Sequence, residues 1–309
     1  MGLEKNRMAS LKHALDAKTT SRVSALSQEQ RRKKMLEKQK ERRQNMLSKV
    51  RELAMMSTVD PLPDSDSVEE PTLQEGDAMI DQIPSQNQNP PKNKTQNQRY
   101  TSKEIESLYK NQLMIPELLE EIPIDLESNW LCCSVPEGIR CVVVSSSCTT
   151  IARTNDGKLL QKFQSYLPNG SQATREGRGD SYSLFDCVFV PSENTFYVID
   201  MMCWRSHLYY DCDSEFRSFF FRSKFAEIPY ISNISARNVY RFLPVPLFTC
   251  SRSDIEKALS PNIVGYNPSQ FLFYAKEGHY SPEESPLFNY LPAERVALLL
   301  QQQNEQMAV

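Results

Sequence analysis

The sequence predicts an α+β domain rich in antiparallel strands, in the later part of a chain of 309 residues. Two observations support this prediction. All 13 Tyr, 14 Phe and 2 Trp lie at or after Tyr100, so the hydrophobic core must form beyond that residue. Short β-rich runs then follow one another, separated by turn sequences such as Asn155-Asp156-Gly157. We therefore expect one folded domain over residues 101–296.

The elements of this domain can be assigned in order. The runs that predict strands are Trp130–Val135, Arg140–Ser146, Ser183–Val190, Thr195–Cys203, Phe216–Phe221 and Gln270–Tyr274. Helices are predicted over about 103–120, after Ser251 with Asp254 three residues on, and from about 293. Residues 297–309 are predicted to form a C-terminal tail.

A basic segment precedes the domain. Within thirteen positions it holds Arg31, Arg32, Lys33, Lys34, Lys38, Lys40, Arg42 and Arg43. Residues 1–53 carry 15 Lys/Arg against 6 Asp/Glu, although the formal net charge of the whole chain is −3. Residues 28–53 contain neither Gly nor Pro, and the apolar residues of their second half recur at helical spacing (Met46, Leu47, Val50 and Leu53). We predict a helix over 28–53 that orders only against an acidic partner.

The remaining segments have simpler compositions. Residues 54–100 are acidic and rich in Pro, Gln and Asn, which predicts a disordered linker, and residues 1–27 are predicted to be a flexible N-terminus. No run approaches the ~18 apolar residues of a membrane span, so we expect a soluble, intracellular chain without a membrane partner. The eight cysteines form no C-x-x-C pair and the three histidines are scattered, so neither a metal site nor a cofactor is expected.

Several motifs carry a resemblance to a known family. The segment Phe196-Tyr-Val-Ile-Asp-Met-Met-Cys-Trp-Arg-Ser-His-Leu-Tyr-Tyr-Asp-Cys212 resembles the signature of the snurportins, the import adaptors for spliceosomal small nuclear ribonucleoproteins. Pro136-Glu-Gly-Ile-Arg140 at a predicted hairpin, Phe271-Leu-Phe-Tyr274 and His279-Tyr-Ser-Pro-Glu-Glu-Ser-Pro-Leu287 agree with that family in order and spacing. The resemblance spans about residues 104–292.

The resemblance implies a trimethylguanosine-cap-binding domain built like the nucleotidyltransferase core of messenger-RNA capping enzymes. Those enzymes use a Lys-x-Asp-Gly nucleophile motif, whereas the similar segment here begins with Val135. Their metal-binding Asp-Gly-Glu motif resembles Asp186-Cys187-Val188, and their lysine-rich last strand resembles 287–292, which has no lysine. We therefore expect a protein that binds nucleotides without transferring them. The enzyme alternative is a divergent guanylyltransferase or RNA ligase.

A trimethylated cap is cationic and carries methyl groups, so its pocket needs an aromatic face, apolar walls and donors for the triphosphate. By resemblance, Tyr290 stands where the family has a stacking tryptophan, and Leu118 stands at a second family tryptophan. The candidate cap-binding residues are Ile115, Pro116, Leu118, Val135, Arg140, Asn155 and Tyr290. Asn155 replaces a family lysine, for which Arg153 is a candidate substitute. Without the resemblance, the residues alone favour Tyr290 and Leu118 as core and Arg140 as a solvated strand end.

The basic helix falls where snurportins bind importin-β. The resemblance therefore implies that the eight clustered basic residues, together with Lys49 and Arg51, bind importin-β. From the residues alone, an RNA-binding arginine-rich segment or a solvated charged helix stays open. The spacing of Leu3, Met8, Leu11 and Leu15 loosely resembles that of a leucine-rich segment that binds an export receptor. The expected function is a nuclear import adaptor that joins trimethylguanosine-capped small nuclear RNA to importin-β and shuttles between nucleus and cytoplasm. The alternative is an importin-β-linked adaptor for RNA or protein cargo without cap selectivity.

Overall fold

The computed structural model describes residues 27–39, 50, 51, 53, 54, 101–175 and 181–307. Predictions for residues 1–26 and the linker beyond residue 54 lie outside the described residues, as do those for Lys40, Arg42, Arg43, Met46, Leu47 and Lys49. Among the described residues, no helix combines the length and apolarity that crossing a membrane requires.

Two sheets form the domain, and most of their strand pairs are antiparallel. The five-stranded sheet has the order β1-β12-β11-β2-β10. Its strands are β1 (Ile115–Leu118), β2 (Trp130–Val135), β10 (Phe248–Thr249), β11 (Gln270–Ala275) and β12 (Glu284–Pro292). Only the β1–β12 pair in this sheet is parallel.

The seven-stranded sheet has the order β5-β4-β3-β6-β7-β8, with β9 beside β7. Its strands are β3 (Ile139–Ser146), β4 (Thr149–Thr154), β5 (Leu159–Phe163), β6 (Tyr182–Val190), β7 (Thr195–Trp204), β8 (His207–Leu208) and β9 (Arg241–Pro244). The prediction of a hairpin at Pro136–Arg140 is wrong, because β2 pairs with β10 and β11 while β3 pairs with β4 and β6. Residues 136–138 instead carry the chain from one sheet to the other.

Helices pack against the sheets, some on the outer faces and others with buried residues in the cluster between the sheets. They are α1 (Gln28–Gln39), α2 (Ser102–Tyr109), α3 (Leu126–Asn129), α4 (Ser214–Ala226), α5 (Arg252–Leu259), α6 (Pro261–Val264) and α7 (Ala293–Met307). Residues 50, 51, 53 and 54 are also helical. Ser251 caps α5 as predicted, since its side chain accepts a hydrogen bond from the Asp254 amide. α7 runs through position 296, where the sequence analysis ends the domain.

Two predicted elements are wrong. The run Phe216–Phe221 lies inside α4, whose buried residues Ser214, Arg217, Ser218, Phe221 and Phe225 follow the helical period rather than strand alternation. The helix predicted over about 103–120 ends at Tyr109, because Lys110 is extended and Asn111 has a positive φ of 56°; Pro116 lies in β1.

Three apolar clusters hold these layers together. One lies between the sheets and combines Val142, Val144, Leu272 and Phe288 with residues of both sheets. A second lies between the seven-stranded sheet and α4, and it takes the alternate residues Cys141 and Val143 of β3. The third covers the outer face of the five-stranded sheet beneath α1, α5 and α7. The α+β, antiparallel-rich fold predicted from the sequence is confirmed.

Candidate cap-binding cleft and basic helix

A cleft opens where residues 136–138 pass between the two sheets, and its volume is about 140 Å³. Its lining is mostly apolar, with a carboxylate and a guanidinium at the polar end. The lining residues are Pro116, Val135, Pro136, Glu137, Gly138, Arg140, Val188, Ile199, Ser269, Gln270 and Leu272. Three of the candidate cap-binding residues therefore meet here: Pro116, Val135 and Arg140.

Tyr290 stands beside this cleft. It is the cross-strand partner of Leu272, which lines the cleft, and such partners project from the same face of a sheet. Tyr290 is half-buried and packs against the cluster between the sheets. An aromatic ring is thus available next to the apolar wall.

The other candidates lie elsewhere. Leu118 packs against the outer cluster of the five-stranded sheet and not against the cluster between the sheets. The strand is irregular between Pro116 and Glu117, and beyond this point Leu118 pairs in register with Tyr290. Asn155 lies in the β4–β5 turn, where its carbonyl oxygen accepts a hydrogen bond from the Asn111 amide at 3.0 Å. Ile115 is exposed at the start of β1.

Arg153, the candidate substitute for Asn155, is held in the fold. Its guanidinium carbon lies 4.9 Å from the Tyr109 ring centroid. Its Nη1 donates to the Gly157 carbonyl at 2.9 Å. Burial lowers the pKa of this guanidinium. Because the side chain is only 9 % exposed, Arg153 is packed as part of the domain.

Arg140 is bound to a buried carboxylate. Its Nε and Nη2 donate to the two carboxylate oxygens of Asp186 at 3.1 and 2.6 Å, and the Tyr280 hydroxyl donates to Asp186 at 2.8 Å. Burial lowers the pKa of Arg140, but the attraction and hydrogen bonds to Asp186, with smaller contributions from Tyr280 and Tyr274, together raise it overall. The guanidinium also lies 5.3 Å from the Phe288 ring centroid. Arg140 was predicted to bind the triphosphate, but most of its positive charge is compensated by Asp186 within the protein.

Gly138 brings the connecting turn against β6. A Cβ atom at this position would lie 2.7 Å from the Phe189 carbonyl oxygen and 2.7 Å from Val188 Cγ1. We expect Gly138→Ala to lower the free energy of unfolding by about 1–3 kcal/mol, because the crowded strand cannot move away. Urea denaturation measures this loss. Glu137→Ala, one residue away and exposed, is the control and should change stability by less than about 0.5 kcal/mol.

The basic helix α1 lies against the outer face of the five-stranded sheet. Arg31 pairs with Glu117 at 2.7 Å, and Arg32 is only 5 % exposed. Lys33, Lys34 and Lys38 are exposed, as is Arg51 in the later helical residues. From the predicted apolar stripe, Val50 and Leu53 are buried in the cluster between the sheets, and the Tyr109 hydroxyl donates to the Leu53 carbonyl at 2.7 Å.

Sequence reasoning missed the far wall of the cleft and the surface under α1. Val188, Ile199 and Leu272 line the cleft from three different strands, and their only sequence signal is apolar alternation. The sequence of the basic segment alone does not predict the contacts that Arg31 and Arg32 make with the sheet. Within the described ranges, no group of three or more His, Cys, Asp or Glu side chains is placed to hold a metal ion.

Comparison with known proteins gives two kinds of similarity. A family model described as the Snurportin1 m3G cap-binding domain matches residues 112–292, and one described as Snurportin1 matches residues 18–52. Among solved structures, the chain is similar to a mycobacterial DNA ligase D complexed with ATP and MES, with 12% identity, 58% of this chain and 60% of that chain covered, and a TM-score of 0.40. It is also similar to a Chlorella virus DNA ligase-adenylate, with 11% identity, 59% and 67% covered, and a TM-score of 0.39.

Proposed function

The chain belongs to the snurportin family of cap-binding import adaptors, and we propose that it carries trimethylguanosine-capped small nuclear RNA to importin-β. In this proposal the cleft between the sheets binds the 2,2,7-trimethylguanosine cap. The basic segment 28–53 binds importin-β. A linker between them lets one cargo particle use both contacts.

The observation that carries the cap-binding part is the chemistry of the cleft inside the matched domain. Pro116, Val135 and Leu272 supply apolar walls suited to the methyl groups of the base. Tyr290 supplies an aromatic face, and stacking of a base on such a ring contributes about 1–3 kcal/mol. Because Asp186 compensates Arg140, the exposed Glu137 leaves the cleft net negative, which suits a cationic base.

The triphosphate receives weaker support from this arrangement. Arg140 Nη1 has no hydrogen-bond partner among the described residues, so one edge of the guanidinium can still donate to a phosphate. The side chains of Ser269 and Gln270 add neutral donors at the same cleft. We infer that most of the selectivity comes from the base and comparatively little from the phosphates.

We infer that the cleft does not catalyse nucleotidyl transfer. That reaction needs an amine to attack the α-phosphate, and lysine is missing from the described residues that line the cleft. It also needs carboxylates that hold a metal ion, whereas both oxygens of Asp186 accept hydrogen bonds from Arg140. Incubation with radiolabelled GTP or ATP and magnesium should leave no covalent adduct; a labelled protein band would favour the ligase or guanylyltransferase alternative.

The cap proposal is tested by titrating the full chain with cap dinucleotides in a calorimeter. We expect the trimethylated cap to bind at least about tenfold more tightly than the monomethylated or unmethylated cap, equivalent to about 1.4 kcal/mol. Tyr290→Ala should remove about 1–3 kcal/mol of that binding, and Tyr290→Phe should retain it because the ring remains.

Leu118→Ala is the matched control, since Leu118 pairs in register with Tyr290 but packs against the outer cluster of the sheet. It should leave cap affinity within about twofold of the unchanged chain. Equal binding of all three caps would favour the alternative of a cargo adaptor without cap selectivity. Loss of binding in Leu118→Ala with retention in Tyr290→Ala would place the base on the other face and overturn the cleft assignment.

The transport part of the proposal concerns the whole basic segment 28–53. Importin-β is proposed to engage Arg31 to Lys38 together with the basic residues up to Arg51. An export receptor is proposed to return the chain to the cytoplasm, so that the protein shuttles between the two compartments. Fluorescence microscopy of the tagged chain, with and without an export inhibitor, tests this: accumulation in the nucleus on inhibition is expected, and an unchanged distribution would contradict it.

A further inference from the structure

We propose that the outer face of the five-stranded sheet carries an arginine-binding pocket that takes Arg32 and holds α1 against the domain. In the docked state the helix is masked from any partner that needs both Arg31 and Arg32. The identity of that partner as importin-β rests on the proposed function; the pocket itself does not.

The pocket surrounds the Arg32 guanidinium with a ring and oxygen atoms from separate parts of the domain. Its carbon lies 5.0 Å from the Trp130 ring centroid. Nη2 donates to the Glu121 carbonyl at 3.2 Å and to Asn289 Oδ1 at 3.5 Å, and Nε donates to the Pro286 carbonyl at 3.4 Å. A planar cation that stacks on an indole and donates in several directions is the ligand that such a pocket fits.

Asn289 shows that the domain is built for this cation. It is fully buried in β12, between Phe288 and Tyr290, and its Nδ2 has no hydrogen-bond partner. Within the described residues, the one hydrogen bond to its side chain comes from Arg32. A buried amide without any partner costs free energy, so withdrawing Arg32 leaves Asn289 wholly unsatisfied unless another donor or water replaces it.

The contacts continue along the whole of α1. At its start, Gln28 donates to the Leu118 carbonyl at 3.2 Å, and Arg31 pairs with Glu117, whose side chain is only 14 % exposed. In the middle, Met35 and Leu36 pack against the outer cluster. At its end, Gln39 donates to the Glu277 carbonyl at 2.9 Å and accepts from the His279 amide at 3.1 Å. These contacts stabilise a helix of 12 residues that is marginal in isolation.

Docking divides the basic residues of α1 into two sets. Arg31 and Arg32 face the domain, whereas Lys33, Lys34 and Lys38 face solvent. A partner that reads the lysines can bind the docked helix, but one that also reads the arginines must first displace it. Its apparent affinity then falls in proportion to the undocked fraction. The basic segment is therefore regulated by its own domain.

Glu117→Arg tests the docking of α1 without changing the helix. It reverses the charge beside Arg31, and we expect amide hydrogen exchange of residues 28–39 to rise about tenfold in the full chain. The affinity for importin-β should rise by up to about tenfold as the masked state is lost. Glu117→Gln, a milder change, should shift both in the same direction.

Glu227→Arg is the matched control. It makes the same change in net charge and also breaks an ion pair, with Lys224 at 2.7 Å, but it lies at the C-terminal end of α4, away from α1. If residues 28–39 exchanged equally fast in the unchanged chain and in Glu117→Arg, the docking of α1 against the domain would be overturned. Faster exchange with unchanged importin-β affinity would overturn the masking. If importin-β bound none of the chains, the proposed partner would be wrong, and the exchange rates would still decide whether the pocket holds the helix.

Discussion

Replacing Arg217 with methionine is expected to lower the free energy of unfolding by about 3–5 kcal/mol, because it leaves a buried carboxylate without its partner. Arg217 is fully buried on α4, and its Nε and Nη2 donate to the two oxygens of Asp200 at 3.0 and 2.8 Å. Its Nη1 donates to the Cys212 carbonyl at 2.6 Å and to the Gly278 carbonyl at 3.0 Å. This side chain thus joins α4 to β7 and to the loop before β12. Urea denaturation followed by circular dichroism measures the loss.

Arg222→Met provides the comparison on the same helix. Arg222 is half-buried and donates to the Ser218 carbonyl at 3.2 Å, within its own helix. Its loss should cost about 1 kcal/mol or less, because it leaves no buried carboxylate unpaired. If the two variants lost equal stability, the Arg217–Asp200 pair would have no special role, and desolvation would have cancelled its attraction.

Much of the fold could be predicted because its strands have strong local signals. β2 matches its predicted range, and β11 differs from its own by one residue, since each is an apolar run with turn residues nearby. α4 was missed because six residues from Phe216 to Phe221 are too short a window to separate strand alternation from helical spacing. The full 13 residues show the helical period, and the Asp213 side chain caps its start by accepting from the Phe216 amide.

The cleft was predicted only in part, and the reason is that its chemistry depends on distant pairs. Resemblance identified Pro116, Val135 and Arg140, but it gave no sign that Arg140 would be bound to Asp186. That pairing follows from the register of β3 on β6, in which Val142 faces Asp186 and Arg140 lies two residues away. Similarly, no local pattern predicts that Arg32 meets Trp130 and Asn289, because the pocket exists only once β2 and β12 share a sheet.

Arg140→Met is expected to destabilise the domain by about 3–5 kcal/mol near pH 7, and the loss should depend on pH in an unusual direction. Asp186 is 1 % exposed, and burial raises its pKa while Arg140 opposes that shift. Removing Arg140 leaves the Tyr280 hydroxyl as its remaining side-chain partner, so the pKa of Asp186 in the folded state should rise further above the unfolded value of about 3.9. The folded state then binds the proton more tightly than the unfolded state does.

The sign follows from that difference in proton binding. A carboxyl group with a raised pKa in the folded state favours folding at acid pH, and this contribution is lost as pH rises through the folded-state pKa. Relative to the unchanged chain at each pH, Arg140→Met should therefore recover stability as pH falls from neutrality through the raised folded-state pKa of Asp186. Adding Asp186→Asn should restore most of the lost stability and remove this dependence, because no buried charge remains. A pH-independent loss in Arg140→Met alone would mean that Asp186 keeps its charge through other contacts, and the expected rise of its folded-state pKa would then be wrong.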